Sequence, residues 1–211
     1  MSNKTAVITG GEGSMAKAIA AMLVKDGAVT LALTPGRAVL DITNNIMVKE
    51  YMGFHVPDIL INCAGYIRPS PIGNTSLAIW NAHFAVNVTG AFLCSKFAQW
   101  AGCKTIINIG STSAFEGREN WGAYCASKAA LISLTETLAE EGIDAYSINP
   151  ARTATKMRQR LFPNEDTKTL MPPEVIAGCV LNVLQGQFSL GSHIIVGKDF
   201  FHVVSKRRCP K

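Results

Sequence analysis

The sequence predicts an α/β protein built on one doubly wound parallel sheet, three layers deep. Three observations carry this. The chain opens on a short apolar run that breaks into a glycine-rich turn and then a helical pattern; strand-like and helix-like segments alternate to the end; and 211 residues, 48% apolar and 17% charged, fit one domain with a large core.

The opening element is Lys4 to Thr9, followed by Gly10-Gly-Glu-Gly13-Ser14 and then Met15, Ala18, Ile19, Met22 and Leu23 at helical spacing. Glycines at Gly10 and Gly13 let backbone approach a pyrophosphate, and a helix beginning near Ser14 and Met15 offers unpaired N–H groups to it. Val29 to Leu33 is the second strand. A carboxylate at its end would hold the ribose 2′-hydroxyl of NAD; instead Thr34-Pro-Gly-Arg37 follows, so Arg37 is placed for a 2′-phosphate and NADP(H) is favoured over NAD(H). Asp41 fits either a cap on the adenine ring or an ordinary turn carboxylate.

Only Thr34 to Ala38 separates that strand from the extended segment Val39 to Ile42. A parallel crossover takes about a dozen residues or more. The third strand is therefore expected as a stub or mispaired, and the sheet as truncated between its second and third strands. Thr43 to Gly53 reads as a helix capped by Thr43 or Asn44. Asp58 to Asn62 is the next strand, and the small Ala64 and Gly65 after it permit close approach to a ligand. A loop rich in proline leads to a long helix, roughly Leu77 to Ala101, with Asn87 inside its apolar face.

Lys104 to Ile109 is expected as the fifth strand and delivers Ser111. Tyr124 and Lys128 then lie one turn apart on one face of a helix-forming run. A cation about 5 Å from a phenol, at an effective dielectric near 20, is worth roughly 3 kcal/mol, or about 2.4 pK units. The spacing therefore predicts a phenol brought from about 10 to near 7.5, fit for proton transfer.

Asp144 to Ile148 is the sixth strand, and the segment 152–172 follows it. Arg152, Lys156, Arg158 and Arg160 fall within nine positions of it, a pattern that suits either a solvated helix face or an anionic substrate, with Arg118 close enough in sequence to contribute. Pro172-Pro173-Glu174 starts a helix and His193 to Val196 is the last strand. Phe200, Phe201, Val203 and Val204 offer a surface to a neighbouring subunit before a basic tail, 205–211.

Taken in order, Thr9-Gly10-xxx-Ser14-x-Ala16, Asn62-Cys63-Ala64-Gly65, Asn87, Ser111, Tyr124-xxx-Lys128 and Asn149-Pro150-Ala151-xxx-Thr155 resemble the short-chain dehydrogenase/reductase family over nearly the whole chain. Ser14, Ala16 and Ala151 stand where that family usually has Gly, and Cys63 replaces a common Asn. The resemblance implies a Rossmann-type fold and a catalytic set of Ser111, Tyr124, Lys128 and Asn87. Ser111 and Tyr124 would bind the carbonyl oxygen, Tyr124 giving the proton. Lys128 would lower the phenol pKa and hold the nicotinamide ribose, and Asn87 would anchor a proton path. Gly10, Gly13, Ser14, Met15, Asn62, Ala64, Gly65, Pro150, Thr153 and Thr155 would line the cofactor. The resemblance also implies that residues 152–172 form a short lid over the substrate, and the run Asn149 to Arg158 with that short lid resembles reductase modules joined to cytidylyltransferases, whose substrates are pentulose phosphates.

The expected partner is thus a small carbonyl compound, anionic if Arg118, Arg152, Lys156 and Arg158 face it. The alternatives are an uncharged ketone, an acyl-carrier substrate, or a module that binds NADP(H) without turnover. The six cysteines show no metal or disulfide spacing, so reduced thiols in a cytoplasmic protein are expected, without a leader segment. No uninterrupted apolar run reaches the ~18 residues of a membrane span. A net charge of +5 fits solubility or an anionic ligand, and no aromatic-rich basic stretch points to nucleic acid. The family likeness implies a homodimer or homotetramer.

Overall fold

A computed structural model describes residues 4–204; the basic tail at 205–211 lies outside the described residues. The chain runs β1 (Thr5–Ile8), α1 (Ser14–Lys25), β2 (Leu31–Leu33), α2 (Asn45–His55), β3 (Ile59–Asn62), α3 (Leu77–Phe84), α4 (Ala91–Trp100), β4 (Thr105–Ile109), α5 (Gly122–Glu140), β5 (Asp144–Pro150), α6 (Lys156–Leu161), α7 (Pro173–Leu184), β6 (His193–Val196) and β7 (Phe201–Val204). The strands form one seven-stranded sheet in the order β2-β1-β3-β4-β5-β6-β7. All neighbours are parallel except β6 and β7.

Helices cover both faces, because strands buried on two sides need two apolar layers. Ile19, Leu23, Ile176 and Val180 of α1 and α7 pack on Ile8, Ile61, Ile107 and Ile148 from one side. Met52, Leu93, Phe97 and Leu138 of α2, α4 and α5 cover Val7, Leu60 and Ile106 from the other. The order reverses at β1 and β3, whose carboxyl ends bound the crevice where such sheets bind ligands.

One expectation fails at the short edge, for a physical reason. Val39 to Ile42 makes no strand: Val39 and Leu40 donate to the Gly36 carbonyl, closing a turn. Leu40 and Ile42 then point into the layer of α2 and α4, so burial rather than sheet pairing absorbs them. β2 is the sheet edge, which makes Lys104 to Ile109 the fourth strand, not the fifth, and Asp144 onward the fifth, not the sixth. At the other edge His193 to Val196 is not the last strand, because its free edge pairs antiparallel with Phe201–Val204, where Phe201 and Val203 are still about two-fifths exposed. Asn44 alone caps α2, its carboxamide oxygen accepting from the Ile46 and Met47 amides at 3.0 and 3.1 Å.

The long helix is also interrupted. Between α3 and α4, Ala85–Gly90 winds as a π-helix carrying Asn87. At Gly90 a β-carbon would sit 2.6 Å from Ile42 Cδ1, so a larger residue there would force the Ile42 side chain to shift. The combined run Leu77–Trp100 meets the length and hydropathy of a membrane span, which the sequence reading did not find. Its Leu93, Cys94, Phe97 and Ala98 are core residues.

Candidate active site

The carboxyl ends of β1 and β3 meet at Thr9, whose hydroxyl accepts from the Cys63 and Ala64 amides at 3.0 and 3.1 Å. Gly10 follows at φ +72, and a β-carbon there would lie 2.8 Å from Ala64 Cα. One at Gly11 would lie 2.0 Å from the Thr34 carbonyl oxygen. The turn is thus closed on both sides, leaving Gly13 as the N-cap of α1 with no side-chain cap competing for its free N–H groups. A nucleotide pyrophosphate fits this cradle. Ser14 has another task as well: its Oγ accepts the Lys156 amide of α6 at 3.4 Å.

Beyond β2, Asp41 accepts from the Thr43 amide and hydroxyl and from Arg37 Nε at 3.0, 2.7 and 3.0 Å, and these partners hold its carboxyl below the usual range. The Arg37 side chain is 83% exposed in that pair. Asn62 does not face the crevice: its amide donates to Asn108 at 2.9 Å and Ser95 at 3.2 Å in the core.

On the other wall, Asn87 clamps the Tyr66 peptide. It accepts from Tyr66 N–H at 2.7 Å and donates to Tyr66 C=O and Ser127 Oγ, each at 2.9 Å. A β-carbon at Gly65 would lie 3.7 Å from Asn87 Oδ1 and 3.9 Å from Lys128 Nζ, so these groups meet over a bare glycine. Lys128, 4% exposed, donates to the Ile109 carbonyl at 2.8 Å and lies 5.8 Å from the Tyr124 ring centre.

Burial pushes the Tyr124 phenol up to about 12 despite a hydrogen bond from Ser111 and the nearby Arg118, both of which pull it down. Burial also pushes Lys128 down to about 8. The sequence expectation of a phenol near 7.5 is therefore corrected. Desolvation dominates, the groups that lower the phenol are Ser111 and Arg118, and the Lys128 ammonium is turned to the Ile109 carbonyl instead. Both shifts favour neutral forms, and a protonated phenol beside the Ser111 hydroxyl is a proton donor.

Ser111, Tyr124, Met15, Pro150, Thr153 and Thr155 line one cavity of about 100 Å³, together with Arg118, Arg152 and Arg158. Thr155 caps α6, accepting from Arg158 N–H at 3.1 Å. The lid closes at its base through Ala154 N–H to Met171 O and Met171 N–H to Arg152 O, at 2.8 and 2.9 Å.

The arginines are sorted by a residue the sequence reading missed. Glu165 receives Arg158 through two bonds of 2.7 Å and Arg152 through one of 3.3 Å. Arg118 instead bonds Glu116 and Thr112 at 2.5 and 3.2 Å, its guanidinium 5.9 Å from the Trp121 ring centre. Lys156 is exposed and outside the cavity lining. No local signal marks Glu165, which stands seven residues beyond Arg158. Among the described residues no cluster of ligands for a metal occurs.

The short chain dehydrogenase family profile matches residues 39–166. The chain is 30% identical over 188 residues to meso-2,3-butanediol dehydrogenase of Serratia marcescens, covering 74% of this chain and 73% of that one. Its fold is similar to that of 4-hydroxyisoleucine dehydrogenase complexed with NADH (TM-score 0.78, 24% identity, 93% and 99% of the two chains). It is also similar to that of ElxO with NADP bound (TM-score 0.80, 22% identity, 92% and 96%).

Proposed function

The chain belongs to the short chain dehydrogenase family as an NAD(P)-dependent oxidoreductase of CH–OH and carbonyl groups, and from that premise we propose an NADPH-dependent reductase of a small anionic ketone. The observation that carries this reading is the grouping of Ser111 and Tyr124 in a cavity lined by three arginines and no acid, with Lys128 outside the lining, 5.8 Å from the Tyr124 ring centre.

The residues divide the work. Gly10, Gly13, Ser14 and the α1 N-terminus take the pyrophosphate, Ala64 and Gly65 give close approach, and Lys128 takes the nicotinamide ribose. When bound, that cofactor supplies hydride chemistry. Ser111 and Tyr124 bind the carbonyl oxygen, and the Tyr124 hydroxyl gives the proton as negative charge develops there. The Lys128 cation stabilises the phenolate left behind. Asn87 holds the Tyr66 peptide and so the wall against which Lys128 stands.

Two features support NADP(H). No acid stands at the end of β2, and Arg37 makes only an exposed ion pair, of the kind worth about 0–1 kcal/mol and readily exchanged for a phosphate. Glu12 favours a second reading, NAD(H): its carboxylate lies where a β-carbon on Gly36 would be 2.8 Å from it.

For the substrate, all three arginines are paired, Arg152 and Arg158 with Glu165 and Arg118 with Glu116; Arg118 supports the anion reading best, because its partner Glu116 is 61% exposed and easily displaced whereas Glu165 is 16% exposed. The likeness of residues 149–158 to reductases of polyol-phosphate pathways extends the proposal to a pentulose phosphate such as ribulose 5-phosphate. We place the enzyme in the cytoplasm as a homodimer or homotetramer; exposed Phe92 and Trp100 on α4 support pairing. The test is NADPH oxidation against ketose phosphates, their unphosphorylated forms and simple ketones. Absence of saturable, ketone-dependent oxidation in every arm would sink the reading; equal turnover of charged and uncharged ketones would remove the anion.

A further inference from the structure

A buried polar line crosses the molecule from the surface of α5 to the back of the active site. Glu136 Oε1 lies 3.1 Å from His193 Nε2, and His193 Nδ1 lies 2.8 Å from Ser147 Oγ. Asn149 Nδ2 donates to the same Ser147 oxygen at 2.9 Å. Ser147 and Asn149 are fully buried on β5, His193 is 2% exposed on β6, and only Glu136 meets solvent.

Serine, histidine and carboxylate in this order resemble a hydrolytic set, but Ser147 is buried among its neighbours and absent from the cavity lining. Its hydroxyl is engaged from both sides, so it is no nucleophile. One arrangement of protons satisfies the line: Asn149 donates to Ser147, Ser147 donates to Nδ1, and Nε2–H donates to Glu136. Each member then fixes the next, which is what a fully connected buried network does.

The line ends on a bare atom. Asn149 Oδ1 is buried without a hydrogen-bond partner, and a β-carbon on Gly110 would lie 2.0 Å from it. The Gly110 amide is itself tied to the Ile148 carbonyl at 2.7 Å. Gly110 stands between Ile109, whose carbonyl holds Lys128, and Ser111. Whatever orients the Asn149 amide therefore sets the backing of the peptide that carries both catalytic contacts. We infer that Glu136, His193, Ser147 and Asn149 are positioning residues for Ser111 and Lys128, acting through Gly110; the role rests on the reductase reading above.

The test uses two substitutions that split the histidine. His193→Asn keeps an acceptor where Nδ1 stands, so Ser147 and Asn149 stay oriented. His193→Gln keeps a donor towards Glu136 but strips Ser147 of its acceptor. Turnover and NADPH dissociation constants are measured for both and for Ser147→Ala, at a temperature where denaturation curves show each variant folded. Expected is kcat within about threefold of wild type for Asn, and at least tenfold lower for Gln and for Ser147→Ala, with NADPH affinity unchanged. Equal kcat in the Asn and Gln variants, or a loss matched by NADPH affinity, overturns the inference and leaves the reductase reading intact. If wild type reduces no ketone, that reading falls by itself. The line is then decided by the Gly110 and Ser111 amide resonances: movement in Gln but not Asn supports it, and the same spectrum in both refutes it.

Discussion

Lys128 gives its ammonium to the Ile109 carbonyl at 2.8 Å, so the cation beside Tyr124 is anchored to the strand that delivers Ser111. Strand β4 and helix α5 are thereby locked at the point where three catalytic side chains must agree. A shift of the strand end moves the serine and the cation together.

Tyr124→Phe removes the proton donor and leaves the ring in its place. The expected outcome is a fall in kcat of about 10²–10⁴-fold, the usual share of general acid catalysis. Binding of NADPH, followed by fluorescence titration, stays near wild type. Unchanged turnover would take Tyr124 out of the mechanism.

The pH dependence follows from two opposed groups. Lys128 titrates at about 8 and Tyr124 at about 12, so below about 8 the lysine is charged and the phenol protonated. Reductive kcat is expected to be level below that point and to fall as pH rises through it. In Lys128→Met the limb disappears from a much lower plateau. Stability moves the other way. The folded pKa of Lys128 lies below its ordinary 10.5, so burying the cation costs about 3 kcal/mol at neutral pH, a cost relieved between about 8 and 10.5. Tyr124 opposes this from about 10 to 12, where the unfolded phenol ionises first. Denaturant titrations should show a rise between about pH 8 and 9 and then a loss, because the Cys63, Cys94, Cys103 and Cys179 thiols, pushed up by burial from 9 to about 11 or 12, join Tyr124 in opposing the lysine.

Arg37→Gln tests the cofactor. Loss of one charge-assisted contact to a 2′-phosphate, about 1.4 kcal/mol or more, raises KM for NADPH at least tenfold and leaves KM for NADH alone. Parallel changes for both nucleotides would discard the 2′-phosphate role and turn attention to Glu12.

Glu165→Gln frees the Arg158 and Arg152 side chains that close the lid. The hydrogen bonds from Arg158 first, and then the charges of both arginines, hold the Glu165 carboxyl below its usual range, so the clamp is complete at neutral pH and weakens as pH falls. Proteolytic cleavage within residues 152–172 is expected to quicken several-fold in the variant, while cleavage elsewhere is unchanged. Uniform acceleration along the chain would mean that Glu165 supports the whole domain instead.

Much of this was legible in the sequence because it depends on local spacing. The turn from Thr9 to Ser14, the helix after Asn44, and Tyr124 with Lys128 one turn apart each need only neighbours along the chain. What escaped depends on partners far apart. Ser147 and His193 meet through strand register across 46 positions, and Phe201–Val204 pairs only because β6 has a free edge. The close approach of Gly90 to Ile42 joins positions far apart in the chain, and the fate of Val39 to Ile42 was settled by which layer needed apolar filling. The Tyr124 pKa erred for a related reason: spacing gives the distance to a charge but not the depth at which both groups are buried.

The missing third strand also has a kinetic meaning. With β2 as the sheet edge, the outer wall of the nucleotide crevice is a single turn, pinned by Gly36 and by the set of Arg37, Asp41 and Thr43. A nucleotide gripped firmly at its pyrophosphate and loosely at its adenosine end has a short residence time. Stopped-flow displacement should show its release outpacing turnover, so that the slow step of the cycle lies on the substrate side, under the lid.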